Sequence, residues 1–209
     1  MTYHPLLGLW LNTANSLHTP LSIQAVESAG FDAQSPNCDE DYLKHFLGDY
    51  DFVFGGFLEK RNLYERSPLF KADDGFRNIH LGTDIWADAG TVLYAPFDMK
   101  IHSFQDNNHF GDYGPTVIFE GNEDYPFILM GHLSREDLKL WSTKTEYKAG
   151  DVVGHFGTAE ENGGWYPHVH LQVMRDMQNR VGDFPGVYAE AKLHEVKEIM
   201  VDPKGLFYR

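Results

Sequence analysis

The segment PHVHLQVM constrains the fold of this chain more than any other, because its residues alternate strictly. On an extended strand Val169, Leu171 and Val173 lie on one face, and His168 and His170 lie on the other. Residues two apart on a strand are separated by about 6.6 Å, which allows two imidazoles to converge on one centre. The segment therefore predicts a core strand whose other face is either a site or an exposed polar surface.

Short runs of β-branched and aromatic residues between Gly, Pro, Asn and Asp continue this pattern and predict further strands. The predicted strands are Thr91–Ala95, Lys100–Phe104, Pro115–Glu120, Pro126–Met130, Val152–Phe156 and His168–Met174. They indicate a mainly β fold, an antiparallel β sandwich or barrel-like domain. The composition of Glu190–Met200 predicts a C-terminal helix that caps one end of this domain.

The first third of the chain has a different character, because residues 13–40 are rich in Ser, Asn, Ala and Gln without a clear period. Within this region Asp39–Phe46 predicts a short helix that starts with acidic residues. Phe52–Leu58 predicts a strand interrupted by two glycines. We therefore expect a partly helical N-terminal extension over residues 1–62 and the main domain over residues 63–209.

Two further segments carry histidines in positions suited to a site. In HLGTDIW, His80 and Asp84 would lie about 13 Å apart on a straight strand. Gly82 lies between them and allows a bend that brings the two side chains together. In FILMGHLS, His132 follows a buried-strand candidate and Gly131, so it is placed to point into a cleft.

Together, the three histidine-containing segments indicate a metal site more specifically than any one segment does alone. A catalytic zinc keeps three protein ligands and one open position, and two histidines with one acid are a recurrent set. Zinc lowers the pKa of a bound water, and histidines that are not ligands can move a proton or stabilise an oxyanion. These segments supply five residues for those five roles.

The order and spacing of HLGTDIWADAGTVLYAP, GHLS, KAGDVVGHFG and HVHLQV resemble the lysostaphin-type zinc endopeptidases, metallopeptidase family 23. The resemblance covers roughly Phe76 to Met174. It implies one Zn²⁺ per chain, bound by His80, Asp84 and His170. It also implies that His132 and His168 form the catalytic pair, and that the substrate is a peptide or small amide.

A closer likeness extends beyond these motifs. SPLF, DYGPTVI, ENGGWYPHVH, GDFPGV and DPKGLF resemble the peptidase module of some multidomain proteins that carry a class III aminotransferase domain. The chain departs from typical family members where Leu171 and Gln172 replace Phe and an acid. Gly163, Gly164, Trp165, Tyr166 and Pro167 replace a small Ser/Thr-Gly lead-in. These departures argue against the family's usual peptidoglycan substrates.

Charge and composition narrow the partners. The net charge of −14 repels nucleic acid and anionic membranes, so we expect neither as a partner. No basic residue precedes the short apolar patch Leu6–Leu11, and no apolar run is long enough to span a bilayer. These features predict a cytoplasmic protein, and they leave the oligomeric state open.

Three alternatives compete with the peptidase interpretation. The first is a non-catalytic zinc domain of similar fold that binds or regulates a partner. The second is a biotinyl- or lipoyl-type carrier, because FDMKIHSF places Lys100 in a similar context, although that lysine falls inside a predicted strand. The third is cysteine catalysis by Cys38, which lacks a surrounding motif. Retention of all five site residues favours the enzyme.

The remaining aromatic and histidine residues have simpler interpretations. Tyr113, Trp165 and Tyr166 either line the cleft or pack in the core. Seven histidines have no partner at ligand spacing and are interpreted as structural or surface residues: His4, His18, His45, His102, His109, His155 and His194. The segment GDFPGV and the N-terminal extension are expected to wall the cleft.

Overall fold

The computed structural model describes residues 3–73 and 75–209, and strands dominate it. In chain order the strands are β1 Ser16–His18, β2 Phe52–Phe54, β3 Glu59–Lys60, β4 Lys71–Ala72, β5 Gly75–His80, β6 Thr83–Trp86, β7 Val92–Tyr94, β8 Met99–Asn107, β9 Gly114–Glu120, β10 Phe127–Gly131, β11 Glu146–Tyr147, β12 Val152–His155, β13 His168–Met174, β14 Val187–Ala189 and β15 Met200–Val201. All six predicted strands of the main domain are present, with bounds shifted by a few residues.

Helices are short and lie mostly at the ends of the chain. The α-helices are α1 Ile23–Ser28 and α2 Cys38–Leu47. The 3-10 helices are Leu11–Thr13, Asn62–Arg66, Pro68–Phe70, Asp137–Lys139, Glu190–Glu195, Lys197–Ile199 and Pro203–Leu206. Within the described residues no helix has the length and apolar content that crossing a membrane requires.

The main sheet has nine strands in the order β1-β2-β6-β13-β10-β9-β8-β11, and β15 pairs with β13. β1 and β2 are parallel, and the main-domain pairs on this path are antiparallel. Two smaller sheets, β12-β7 and β14-β5-β3 with β4 on β5, complete the β structure. The described strands form open sheets, so the mainly antiparallel β fold is confirmed without a closed barrel.

Both faces of the main sheet are buried at its centre, where every residue of β6 and β13 is buried. Val169, Leu171 and Val173 belong to one hydrophobic cluster, as their alternation predicts. Ile118 and Leu129 belong to a second cluster on the opposite side of neighbouring strands. The two clusters fix the strand register, because a slip of one residue would exchange the faces.

The predicted helix at Asp39–Phe46 is confirmed as α2. Acidic residues in its first turn interact favourably with the helix dipole, and Tyr42 and Leu43 are buried. A third hydrophobic cluster joins this helix to Val53 and Trp86 of the main sheet. The predicted boundary at residue 62 stays a prediction, although β1 and β2 extend the main sheet beyond it.

The C-terminal segment differs in detail from the helix predicted over Glu190–Met200. It forms two 3-10 helices and then strand β15, which pairs with β13. Leu193, Val196 and Ile199 recur every three residues and pack against the second cluster. That spacing fits three residues per turn, so the 3-10 form directs all three side chains to the core.

Candidate metal centre

The pairing of three strands brings four of the five predicted site residues together. β13 lies between β6 and β10 in the main sheet. Asp84 on β6 is directly opposite His170 on β13, and Gly131 on β10 is opposite His170 on the other side. His132 follows Gly131, and His168 lies two residues before His170, on the same face. Long-range strand pairing therefore builds the site.

His80 reaches the site because the chain bends between β5 and β6, as predicted. A Cβ atom at Gly82 would lie 2.6 Å from the Leu171 carbonyl oxygen and 2.8 Å from His170 Nε2. The φ angle of Gly82 lies outside the left-handed region, so the position needs glycine for space and not for backbone conformation. This close approach lets His80 meet residues on β6 and β13.

His80, Asp84 and His170 form a compact group that could hold a metal ion. His80 Nε2 lies 2.9 Å from His170 Nδ1, His170 Nδ1 lies 3.0 Å from Asp84 Oδ1, and Asp84 Oδ1 lies 3.2 Å from His80 Nε2. Ligands on a tetrahedral zinc at about 2.0–2.1 Å are separated by about 3.3 Å. The three side chains are 2–4% exposed, so the centre is enclosed by protein.

The tautomer of His170 is set by its neighbour Gln172. The Gln172 amide nitrogen donates to the Pro185 carbonyl, 3.3 Å away, so its Oε1 accepts from His170 Nε2–H at 2.8 Å. His170 Nδ1 therefore presents a lone pair toward the Asp84 carboxylate. Two acceptors at this distance are stabilised by a cation between them, and a metal-binding histidine typically donates its other ring N–H to a fixed acceptor, as His170 does here.

Arg61 controls the charge of Asp84. Arg61 Nη1 donates to Asp84 Oδ2 at 2.5 Å, and Arg61 is 0% exposed. Burial alone would raise the pKa of the Asp84 carboxyl, but His80 and the Arg61 guanidinium, which donates to Oδ2, outweigh burial. They hold the pKa of Asp84 well below its usual range, so the carboxylate is charged at neutral pH and can act as a ligand.

Burial keeps His80 neutral. Its side chain is removed from water, and Arg61 lies nearby, so the pKa of His80 falls to about 3. Its Nδ1 has no hydrogen-bond partner among the described residues, while its Nε2 faces the other two side chains. A neutral imidazole with a lone pair toward the centre is the form that binds a metal ion.

His132 and His168 lie side by side next to this group, with ring centroids 4.1 Å apart. His132 Nδ1–H donates to the Asn162 carbonyl at 2.8 Å, and His168 Nδ1–H donates to the Tyr166 carbonyl at 2.7 Å. Each Nε2 is therefore unprotonated, and His168 Nε2 lies 3.9 Å from Asp84 Oδ1. Burial lowers the pKa of both histidines, so both are neutral at neutral pH.

The backbone of His132 adopts a left-handed conformation with φ of 63°. A residue other than glycine in this region costs of order 1–3 kcal/mol, and such residues cluster at functional sites. The His132 amide donates to the Tyr113 carbonyl, and its own carbonyl accepts from Gly157. The surrounding strands therefore hold His132 in a turn that directs its ring into the cleft.

A cleft of about 780 Å³ leads to these residues. Tyr113, Trp165 and Tyr166 line it, and Tyr113 and Tyr166 also pack in hydrophobic clusters, so both interpretations hold for these two. The predicted walls are also present: α2 and neighbouring N-terminal residues on one side, and residues 183–187 of GDFPGV on another. A volume of this size matches that of small-ligand sites.

The segment at Pro68–Phe70 links two walls of the cleft. Leu69 packs closely over Gly111, because a Cβ there would lie 2.2 Å from Leu69 Cδ2. The Phe70 and Trp165 rings approach to 6.2 Å, and Tyr64 stacks on Phe70 at 4.0 Å. These contacts narrow the space open to a ligand.

The residues named in the competing interpretations lie elsewhere. Lys100 lies in β8 and pairs with Glu120 at 2.7 Å, so it does not occupy a hairpin tip. Cys38 is buried at the start of α2, where burial raises the pKa of its thiol. Neither placement supports a carrier lysine or a nucleophilic cysteine.

The sequence alone did not identify Arg61 or Asn162, although both contact site residues. Arg61 lies in a region without a motif, and Asn162 acts through its backbone carbonyl. Gln172 was visible in the sequence as a departure from the family pattern. Its Oε1 accepts from His170 Nε2–H and so orients that imidazole.

Comparison with known proteins identifies a family for the part of the chain that carries these residues. Residues 78–181 match the model of Peptidase family M23. No curated protein matches the chain.

Several solved structures resemble the fold. The catalytic domain of lysostaphin from Staphylococcus simulans is 20% identical, with 62% of this chain and 80% of that chain covered and a TM-score of 0.42. A variant of the catalytic domain of the prophage-encoded M23 protein EnpA from Enterococcus faecalis is 21% identical, with 65% and 92% covered and a TM-score of 0.41. A zinc containing peptidase from Vibrio cholerae is 24% identical, with 51% and 31% covered and a TM-score of 0.39.

Proposed function

Because residues 78–181 form a Peptidase family M23 domain, we propose that this protein is a zinc-dependent hydrolase that cleaves a peptide or amide bond. The observation that carries the proposal is the convergence of His80 Nε2, His170 Nδ1 and Asp84 Oδ1 within 3.2 Å of one another. Two neutral imidazoles and one carboxylate are a recurrent ligand set for catalytic zinc.

The donor set fits zinc better than the hard cations Mg²⁺ and Ca²⁺, which prefer oxygen ligands. Zinc bound here would lower the pKa of a coordinated water and polarise a substrate carbonyl. The protein supplies three ligands from three strands, and the cleft leaves the remaining side open to a substrate.

The His132–His168 pair supplies the acid–base function in this proposal. Each Nε2 is unprotonated and faces the cleft, so either imidazole can accept a proton from an attacking water. The protonated imidazole can then donate to the departing amine or to a developing oxyanion. Hydrogen bonds from Nδ1 to the backbone fix both rings in the required orientation.

The shape of the cleft favours a short peptide or small amide as the substrate. Leu69 and Phe70 line the cleft and contact Gly111 and Trp165, so they reduce the space for a bulky crosslinked polymer. Aromatic side chains line the remaining space and suit apolar groups of a ligand.

The test uses purified protein loaded with zinc and incubated with short peptides, acylated amides and peptidoglycan fragments. We expect about one zinc per chain and cleavage of at least one short substrate. His168→Ala should retain zinc and lose turnover, whereas the control His194→Ala, at an exposed position, should retain both. Zinc binding without any cleavage would favour the non-catalytic binding domain, and a wild-type protein without affinity for zinc would contradict the proposal.

A further inference from the structure

Arg61 contacts the metal-ligand group although it precedes the segment that matches the peptidase family. Its Nη1 donates to Asp84 Oδ2 at 2.5 Å and to the Tyr64 hydroxyl at 2.6 Å. Arg61 is 0% exposed, so no solvent screens this contact. A charged hydrogen bond in such surroundings is among the stronger contacts a carboxylate can make.

The two oxygens of Asp84 have different partners as a result. Oδ1 lies 3.0 Å from His170 Nδ1 and 3.2 Å from His80 Nε2. Oδ2 points the other way and accepts from Arg61. While this contact persists, only Oδ1 is available to a cation held by the two histidines.

Arg61 is itself held in place from several sides. Its backbone amide donates to the Asn78 carbonyl, and its guanidinium lies between the Trp86 and Tyr64 rings at 5.7 and 5.6 Å. Glu59 Oε2 lies 4.0 Å from Arg61 Nε, and Glu59 is fixed by the amides of Leu21 and Gly56. The guanidinium therefore cannot swing away from Asp84 without disturbing the N-terminal region.

A purely structural ion pair would be expected to satisfy its donors more fully. Within the described chain, Arg61 Nε and Nη2 have no hydrogen-bond partner. Burying a guanidinium with two nitrogens that make no hydrogen bond is a costly way to join a loop to a sheet. Its best-made contacts are those of Nη1, and one of these goes to a metal ligand.

We infer that Arg61 is a positioning residue that restricts Asp84 to a single oxygen toward the metal ion. The inference rests on the proposed zinc site. It implies that the N-terminal extension completes the metal centre of the family-matched domain. The restriction leaves room around the ion for water and a substrate oxygen.

The direct test is a crystal structure of the zinc-loaded wild-type protein. We expect one Asp84 oxygen at about 2.0–2.2 Å from zinc and the other on Arg61. A bidentate Asp84, or an Arg61 displaced from it, would overturn the inference. This measurement needs no variant and therefore does not depend on whether substitutions at a buried site fold.

The second test replaces zinc by Co²⁺, whose visible absorption weakens as the coordination number rises. At saturating Co²⁺, Arg61→Met should lose absorption intensity because Asp84 can then offer both oxygens. Arg61→Lys, which keeps a cationic donor, should restore the wild-type spectrum. The control Arg66→Met should leave it unchanged, because Arg66 donates to the carbonyls of Ala33 and Ser35 and not to Asp84.

The two tests separate this inference from the proposed function. A wild-type spectrum in metal-loaded Arg61→Met would overturn the role of Arg61 while leaving the metal site intact. A wild-type protein that binds neither zinc nor cobalt would contradict the proposed function and, with it, this inference. Loss of turnover in Arg61→Met together with a wild-type spectrum would likewise overturn the role of Arg61 at the metal ion.

Discussion

The His80–Asp84–His170 group and the His132–His168 pair are neighbours in the same cleft, yet they are held in different ways. Members of the group contact one another and charged or polar side chains such as Arg61 and Gln172. Each member of the pair donates from Nδ1 to a backbone carbonyl. The first arrangement directs lone pairs to one point and suits a cation, whereas the second leaves one nitrogen of each ring free to move a proton.

The largest predicted effect comes from breaking the group. His170→Ala removes one of three ligands, so the protein should lose zinc on dialysis. Turnover should fall by about 1000-fold, because the metal contributes several kcal/mol to transition-state stabilisation. Zinc content by mass spectrometry and kcat/KM check this prediction. Full zinc retention with normal turnover would show that the group is not the metal site.

Breaking the pair should separate metal binding from turnover. His132→Ala leaves the three ligands in place, so zinc content should match the wild type. We expect kcat to fall by about 100- to 1000-fold, the range for loss of one group that stabilises a transition state. Zinc content and kcat are measured on the same preparation. Loss of zinc in this variant would mean that His132 also holds the metal ion, and the distinction between the pair and the group would be wrong.

In metal-free protein, the stability should depend on pH through the buried histidines of both the group and the pair. Burial lowers the pKa of His80 to about 3 and also lowers those of His132 and His168. The unfolded chain therefore binds more protons below pH 6.5, and stability is lost as the pH falls from 6.5 toward these lowered values. His80 alone should cost about 2 kcal/mol between pH 7 and pH 5.

Urea unfolding of metal-free protein at pH 7 and pH 5 measures this loss. His194→Asn, at an exposed position, should show the same pH dependence as the wild type. An equal stability at the two pH values would mean that the three buried histidines are not held neutral.

The smallest predicted effect concerns a partner of the group. Gln172→Ala removes the acceptor that fixes the tautomer of His170, so zinc should bind about 10-fold more weakly. Competition with a chromogenic chelator measures the dissociation constant, and Gln24→Ala at an exposed position is the control. Unchanged affinity would show that the tautomer of His170 is set without Gln172.

The sequence predicted the strands, and the convergence of the five candidate site residues, better than it predicted the ends of the chain. Alternation in PHVHLQVM predicts the strand that carries His168 and His170, because its apolar residues lie on one face and its histidines on the other, and both faces are buried. The bend at Gly82 was predicted from the presence of glycine, although its reason is the lack of space beside Leu171. A local sequence pattern is enough to predict structure where residues nearby in the sequence determine the conformation.

Arg61 and the C-terminal 3-10 helices depend on contacts distant in sequence. Arg61 meets Asp84 because β3, which ends just before it, pairs with β5, and no residue near Arg61 in the sequence indicates that partner. The composition of Glu190–Met200 correctly predicted helical turns but not their type. Packing against the second hydrophobic cluster favours 3-10 turns with three residues each. Tertiary packing overrides local propensity in both regions.

The position of β6 between β2 and β13 has a consequence for biosynthesis. Arg61 and Asp84 leave the ribosome before His170, which follows Asp84 by 86 residues. The acidic ligand and its cationic partner are therefore both made before the last imidazole. Capture of a metal ion would then be a late event in maturation that follows the completed sheet and does not nucleate it.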